Sequence, residues 1–320
     1  MSLKHAKQAV SLERGSEKKG FVYNLMAHKT AYLLILPALI TVLVLGYVPF
    51  LGLVLAFKDY NVLDGILNSP WVGFDNFREC FCQPNMLKAI KNSFIYGVTI
   101  QFCGLPFPVI LALLFNEIRN MRFKKIIQTV SYLPHFLSWI TVIGLFTSLF
   151  AVEGTFNNIM AAIVGENYEA TNILYNPSNF LFIIFSTHIW KTIGWSSVIF
   201  LAAIAGIDAS LYEAATIDGC GKFKQAINIT LPCIRGTILI VFIMSLANLF
   251  NTSFEQVYGF QNAYIQQETD TINTLIYRLG IQNGEYSMSA AFGLAQGLVA
   301  VALLLMSNFA SKKLFEVSIW

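Results

Sequence analysis

Residues 31–57 read AYLLILPALITVLVLGYVPFLGLVLAF, without a single charged side chain. A helix needs about 20 mostly apolar residues to cross a hydrocarbon core of about 30 Å, so this run alone is long enough to span a bilayer. Five more uncharged runs follow, at 92–116, 126–152, 171–207 (interrupted only by Lys191), 236–254 and 286–311. Each exceeds the roughly 10 residues of a barrel strand, and none alternates polar with apolar. Backbone polar groups in lipid must be satisfied within their own segment, so the runs predict helices. Composition agrees: of 320 residues, 56% are hydrophobic and 12% charged, about half the charge of an ordinary soluble domain. A disordered chain and water-soluble domains are thereby excluded. The expected fold class is all-α, a polytopic membrane protein with six transmembrane helices.

The distribution of Lys and Arg orients these spans, because cytoplasmic loops carry the excess. Fifteen of the 21 lie on one side: six between Lys4 and Lys29, then Arg119, Arg122, Lys124 and Lys125, then Lys222, Lys224 and Arg235, then Lys312 and Lys313. Five lie on the other, Lys58, Arg78, Lys88, Lys91 and Arg278, where an outer loop also holds Glu153, Glu166 and Glu169. The expected organisation is a cytoplasmic tail (1–30), a first span (31–57) acting as an uncleaved signal-anchor, an outer loop (58–91), a core of five spans (92–311) and a cytoplasmic C-terminal tail (312–320). Both termini are then on the inner side of a bacterial cytoplasmic membrane. The net charge of +3 follows from that topology; no basic face points to nucleic acid. Cys80 and Cys82 lie too close in the chain to pair readily, and no metal-ligand spacing emerges.

Within the outer loop, residues 74–91, with Phe74, Phe77 and Phe81 at helical spacing, predict an interfacial helix leading into the second span. The second long outer loop, 254–285, predicts a helix over 271–279. Such helices either shape a vestibule or cap the bundle. The inner loop 208–232 is the richest stretch: Asp208-Ala-Ser-Leu-Tyr-Glu-Ala-Ala-Thr-Ile-Asp-Gly219, then Lys222 to Pro232. Asp208 or Ser210 can cap a short helix, with Glu213 completing a box from Ser210. Gly219 stops it, and a second helical piece runs from 222 to 230 before Pro232 re-enters the membrane. Two amphipathic helices at a bend make a surface suited to a groove in another protein.

This loop resembles the EAA motif of ABC importer permeases: Glu-Ala-Ala, three residues, Gly, nine residues, Ile, one residue, Leu-Pro. Glu213-Ala214-Ala215, Gly219, Ile229 and Leu231-Pro232 meet every anchor. Gly73-Phe74-Asp75-Asn76-Phe77, Asn92-Ser93, Leu201-Ala202-Ala203-Ile204 and Tyr212 resemble carbohydrate importer permeases. The C-terminal part, with Glu268–Ile272, Tyr277-Arg278, Asn308 and Lys312-Lys313, is similar to the oligo- and polysaccharide branch, including aldouronate- and alginate-type permeases. Departures are Cys220, where the family usually has Ala, and Gly236, where a second Pro is common. The resemblance implies the type I (MetI-like) permease fold. It also implies that Tyr212, Glu213, Ala214, Ala215, Asp218, Gly219, Leu231 and Pro232 form a coupling helix and its turn, seated in a cytoplasmic ATPase. There Glu213 either meets a basic residue or merely caps its own helix.

The chain lacks a G-x-x-x-x-G-K-[ST] phosphate loop, so it is expected to be a transport subunit and not an enzyme, holding no cofactor itself. ATP and Mg belong to a pair of partner ATPase subunits. A second, related permease chain and an extracytoplasmic solute-binding protein complete the expected importer. Sugars offer C–H faces to aromatic rings and hydroxyls to amides, so Gln101, Trp190, Trp195, Asn248, Asn251 and Gln296 are candidates for the path; interhelical packing is the other reading of each. Lys191 stands about 21 Å above the inner end of its span. It either meets an anionic sugar such as a uronide, with Arg278 adding to the charge, or snorkels or makes a structural pair. A self-sufficient secondary transporter or channel for small polar solutes would require intramembrane acids or an inverted repeat, and the chain shows neither.

Overall fold

The computed structural model describes residues 28–165, 168–246, 248–250 and 252–315. The tail cations up to Lys19, Glu166 and the path candidate Asn251 lie outside the described residues. The described residues are mostly helical, and their one β feature is an isolated bridge between Lys58 and Trp71. Six segments are long and apolar enough to cross a membrane: Lys29–Phe57, Asn85–Glu117, Trp139–Val164, Pro177–Ala205, Lys222–Leu246 and Tyr286–Phe309.

The chain divides into two units, Met1–Val54 and Leu55–Trp320. In the first, the helix Lys29–Val42 carries Pro37, and the Thr41 hydroxyl donates to the Pro37 carbonyl at 2.8 Å. The second unit holds the five-span core in three buried clusters. One joins Tyr96, Phe150, Phe180, Ile183 and Val257; a second joins Ala56, Met86, Ala89, Leu275 and Phe292. The third, nearer the 208–232 loop, joins Val109, Ala112, Phe200, Ile204 and Ile234. Small residues at the contacts let the helices approach, as membrane bundles require in the absence of a hydrophobic driving force between them.

Several boundaries differ from those read off the sequence. The interfacial helix is shorter, Asp75–Cys82. Pro84, suited to a first helical turn, already opens the second span, Pro84–Val98. The run 126–152 is not one helix. Pro134 lacks an N–H and cannot sit in an unbroken ladder, so helix Met121–Tyr132 gives way to a 3₁₀ turn, Leu133–Phe136. A new helix, Trp139–Phe150, then starts under the Ser138 cap.

The run 236–254 is displaced as well. The piece expected at 222–230 is not a separate helix but the first turns of the fifth span. Lys222–Gln225 passes through a π-helical turn, Ala226–Thr230, into Leu231–Leu246. That wider turn lies directly before Pro232, where an ordinary ladder would fail. The span ends at Leu246, and residues 248–250 are a turn. The outer loop beyond holds three short helices, Phe254–Phe260, Gln266–Thr269 and Ile272–Tyr277, of which the last matches the one expected.

Candidate functional site

The 208–232 loop begins at Asp208, whose carboxylate accepts the Ser210 backbone N–H at 2.9 Å and caps helix Ala209–Ile217. That bond, with a second from the Ser210 hydroxyl, holds the carboxyl below its ordinary range. Of the two caps open to the sequence, Asp208 is the one used. Glu213 takes no part in it: it is exposed and unpaired among the described residues. The helix ends in a paired C-cap, with Gly219 N–H donating to Thr216 O at 3.1 Å and Cys220 N–H to Ala215 O at 2.8 Å. Gly219 sits at φ +76°, where an L side chain is strained, and open space surrounds its missing Cβ.

Three residues not singled out from the sequence brace this loop from within. The Tyr212 hydroxyl and Thr230 hydroxyl lie 2.9 Å apart. The buried Gln225 donates to Thr216 Oγ1 at 2.9 Å and to Cys220 O at 3.1 Å. Each pairing joins the first helix, or its terminal turn, to the fifth span, so the two move as one body. Their polar side chains gave no signal because threonine and glutamine at these spacings form no periodic pattern, and the turn chooses their partners. Outward, the same loop shows Ile217, 87% exposed, and Phe223, 79% exposed, beside Glu213. Burying two such side chains against a partner would be worth about 2–5 kcal/mol before association costs. Ala214 and Ala215 lie in the same helix and Asp218 at its C-cap, while Leu231 and the exposed Pro232 begin the helix Leu231–Leu246 within the fifth span.

The described path candidates fall in three places. Gln101 lines a cavity of about 240 Å³ between the second, fourth and fifth spans, shared with His188, Thr192, Ser196 and Ser245. Trp190 packs edge-on against Phe146, and Trp195 stacks flat on His135 at 4.9 Å. Gln296 is engaged in the wall: it donates to Phe250 O at 2.9 Å and to Asn273 Oδ1 at 3.0 Å. Asn273 in turn donates to Thr252 O at 2.7 Å, so two carboxamides satisfy carbonyls where the fifth span unwinds. The Asn248 side chain is exposed at that turn.

Lys191 is only 7% exposed. Its ammonium donates to His135 O at 2.7 Å and Leu137 O at 2.6 Å, with Pro134 O at 3.5 Å and the Trp139 ring 5.5 Å away. The turn ahead of Trp139 leaves the His135 and Leu137 carbonyls short of backbone donors, while the Pro134 carbonyl also accepts the Leu137 N–H at 3.2 Å. Glycines seat both breaks. A Cβ on Gly194 would collide with the Ser131 carbonyl, and one on Gly97 would collide with the Leu249 carbonyl. Irregular backbone at membrane depth is tolerated where protein groups satisfy it, and each break has its own donor and its own glycine.

Arg278 is likewise engaged. It forms an ion pair with the buried Asp270, which also accepts from Thr274 at 3.0 Å and Gln261 at 3.1 Å. The Gln266 carboxamide, oriented with its oxygen toward the guanidinium, lies 2.7 Å from Nε. The family-like residues of the outer loops frame this end. Asn76 donates to Ala56 O and Lys58 O, each at 2.9 Å; Asn92 donates to Glu268 O and Asp270 O; the Ser93 hydroxyl accepts from Ile272 N–H at 2.8 Å. Cys80 and Cys82 are both free, on one helix, the first buried and the second exposed. Among the described residues no group of three or more His, Cys, Asp or Glu side chains gathers to hold a metal ion.

A helical core of membrane length, with a braced loop between its fourth and fifth spans, is the architecture of a membrane transport subunit. Residues 104–317 match the family described as the binding-protein-dependent transport system inner membrane component, and the chain belongs to that family of multi-pass inner-membrane ABC permeases. Protein LplB of Bacillus subtilis (strain 168) is 38% identical over 286 residues, 89% of each chain. The polygalacturonan/rhamnogalacturonan transport system permease protein YteP of the same organism is 36% identical over 304 residues, 95% of this chain and 94% of that one. The crystal structure of a bacterial alginate ABC transporter, in complex with an alginate pentasaccharide-bound periplasmic protein, contains a chain of the same fold. It matches with a TM-score of 0.83 and 32% identity, over 93% of this chain and 99% of that chain. These relatives are transport components, not ATPases, and the fold is the MetI-like permease fold.

Proposed function

We propose that this chain is one half of the membrane channel of an importer for oligo- or polysaccharides rich in uronic acids, with ATP hydrolysis supplied by partner subunits. The observation that carries the proposal is the coupling loop. It is rigidly tied to the fifth span yet presents Glu213, Ile217 and Phe223 outward without partners among the described residues. Two exposed apolar side chains with a nearby carboxylate suit burial against a partner that carries a basic residue. A pair of ATPases closing around ATP and Mg would grip this surface, and the Tyr212–Thr230 and Gln225 bonds would pass the motion into the fifth span. ATP binding thus shifts the population between inward- and outward-open states. The loop is assigned to the cytoplasmic face by its excess of Lys and Arg, which places the 254–285 segment at the opposite, outer end, where a solute-binding protein would deliver its cargo. A second permease chain completes the path, since one core of this size encloses only part of a channel.

The substrate class is supported by relatives whose names specify alginate and polygalacturonan/rhamnogalacturonan. In this chain Lys191 and Arg278 are held in the wall by backbone carbonyls and by Asp270, so we assign the choice of acidic sugars to the partners. The test is to extract the tagged chain gently from its native membrane, identify what co-purifies, and measure saccharide-stimulated ATP hydrolysis. Two ATPases, a second permease and stimulation by oligouronates are expected. A reproducible homo-oligomer without any ATPase would overturn the proposal.

A further inference from the structure

At the end of the core opposite the coupling loop, a cavity of about 440 Å³ opens between the outer helices and the start of the sixth span. Its walls include Phe254, Tyr277, Tyr286, Asn273 and Ser289. Behind them Tyr258 stacks on Phe254 at 5.2 Å and meets Tyr277 edge-on at 5.2 Å, while Phe254 and Tyr277 are 5.0 Å apart, so the three rings form a closed triangle. Tyr286 is held by an edge-on contact with Tyr60 at 5.7 Å. The Tyr277 and Tyr286 hydroxyls have no hydrogen-bond partner among the described residues. Along one wall the backbone takes a π-helical turn, Arg278–Gln282, a distortion that recurs at functional sites.

Resting on the saccharide reading above, we infer that this cavity is a pyranose-binding subsite at the outer mouth, where a sugar first stacks on entering from the binding protein. The lining suits a neutral ring with one apolar face and a rim of hydroxyls, as a sugar has. Ring faces suit the C–H face of a pyranose, and phenol hydroxyls suit its equatorial hydroxyls. The rings hold one another in place, so little side-chain freedom is lost on binding. Charge is absent from the lining: Arg278, on the same turn, is neutralised by Asp270. The subsite therefore reads ring shape and is indifferent to carboxylates. Asn273 belongs both to this cavity and to the Gln296–Phe250 junction, so a sugar held here lies directly above the unwound end of the fifth span.

The test uses the assembled complex in proteoliposomes with oligogalacturonate and its methyl-esterified, neutral counterpart as probes. Tyr277→Leu should raise the concentration of each probe for half-maximal ATPase stimulation roughly tenfold, the factor that about 1.4 kcal/mol represents. Tyr277→Phe, which keeps the ring and loses only the hydroxyl's hydrogen bond, should fall between the leucine variant and the unaltered complex. Because the ring triangle also contributes to packing, a second measurement uses Ile281→Trp at the exposed rim of the cavity. The emission of the introduced indole, read as the difference from the unaltered complex, should shift saturably with either probe. Wild-type dependence in an assembled Tyr277→Leu complex, an unmoved difference emission while transport continues, or an effect confined to the acidic probe would overturn the subsite. Failure of the unaltered complex to respond to any saccharide would instead overturn the saccharide reading itself.

Discussion

Replacing Lys191 with methionine should destabilise the whole core and leave its discrimination between acidic and neutral sugars unchanged. The ammonium makes two short charge-assisted bonds, to His135 O at 2.7 Å and Leu137 O at 2.6 Å. Methionine fills the space of the stem but donates nothing. Each stranded buried carbonyl costs about 1–3 kcal/mol, giving about 2–6 kcal/mol for the two. Release from burying an unpaired ammonium offsets part of this, which leaves a net loss of roughly 2–4 kcal/mol. The assay is thermal loss of folded protein in a fixed detergent, paired with uptake of oligogalacturonate and its methyl ester by reconstituted complexes. Expected are a clearly lower unfolding temperature and a proportionate fall in both uptakes. Full thermal stability together with selective loss of acidic uptake would refute the reasoning, because the cation would then be serving substrate and not the break at 133–138.

Other perturbations separate coupling from frame. Glu213→Arg should abolish saccharide-stimulated ATP hydrolysis while insertion and thermal stability stay unchanged, because the carboxylate is exposed and outside the helix cap; intact stimulation would remove it from the docking surface. Asp270→Ala leaves the Arg278 guanidinium without its counter-charge in a mostly buried site, a loss of about 3–5 kcal/mol; the double variant Asp270→Leu with Arg278→Leu should recover much of it, and equal thermal losses for single and double variants would count against the pair. Burial, reinforced by the Glu79 carboxylate, pushes the Cys80 thiol up to about 12. A raised pKa keeps the thiol protonated and inert until pH climbs toward that value, so maleimide applied from outside at pH 8 should label exposed Cys82 and spare Cys80. Labelling of Cys82 only from the cytoplasmic side would invert the proposed orientation.

The EAA-like loop was legible because its function needs a local pattern. A capped helix and a left-handed glycine are set by neighbouring residues, and Asp208 and Gly219 act where their chemistry predicts, whereas Pro232 falls inside a span that has already begun at Lys222. The outer helix near 272–277 was legible for the same reason. The bracing by Thr216, Gln225 and Thr230 was not, since threonine and glutamine carry no periodic signal and their partners are chosen by the turn. Nor could an uncharged run of 27 residues at 126–152 reveal that Pro134 would break it, as proline is often absorbed as a kink in a membrane helix.

By itself the sequence determined the number of membrane crossings and the all-helical class, because lipid leaves no other way to satisfy the backbone. Tertiary structure alone decided the fate of the charges and amides within that frame. An intramembrane lysine reads as functional until the carbonyls that claim it are seen, 54 to 57 positions away. Gln296 reads as pore-lining until Phe250 and Asn273 take its donors. Hydrophobic length is additive along a chain, whereas a hydrogen bond exists only when the fold brings both of its atoms within about 3 Å.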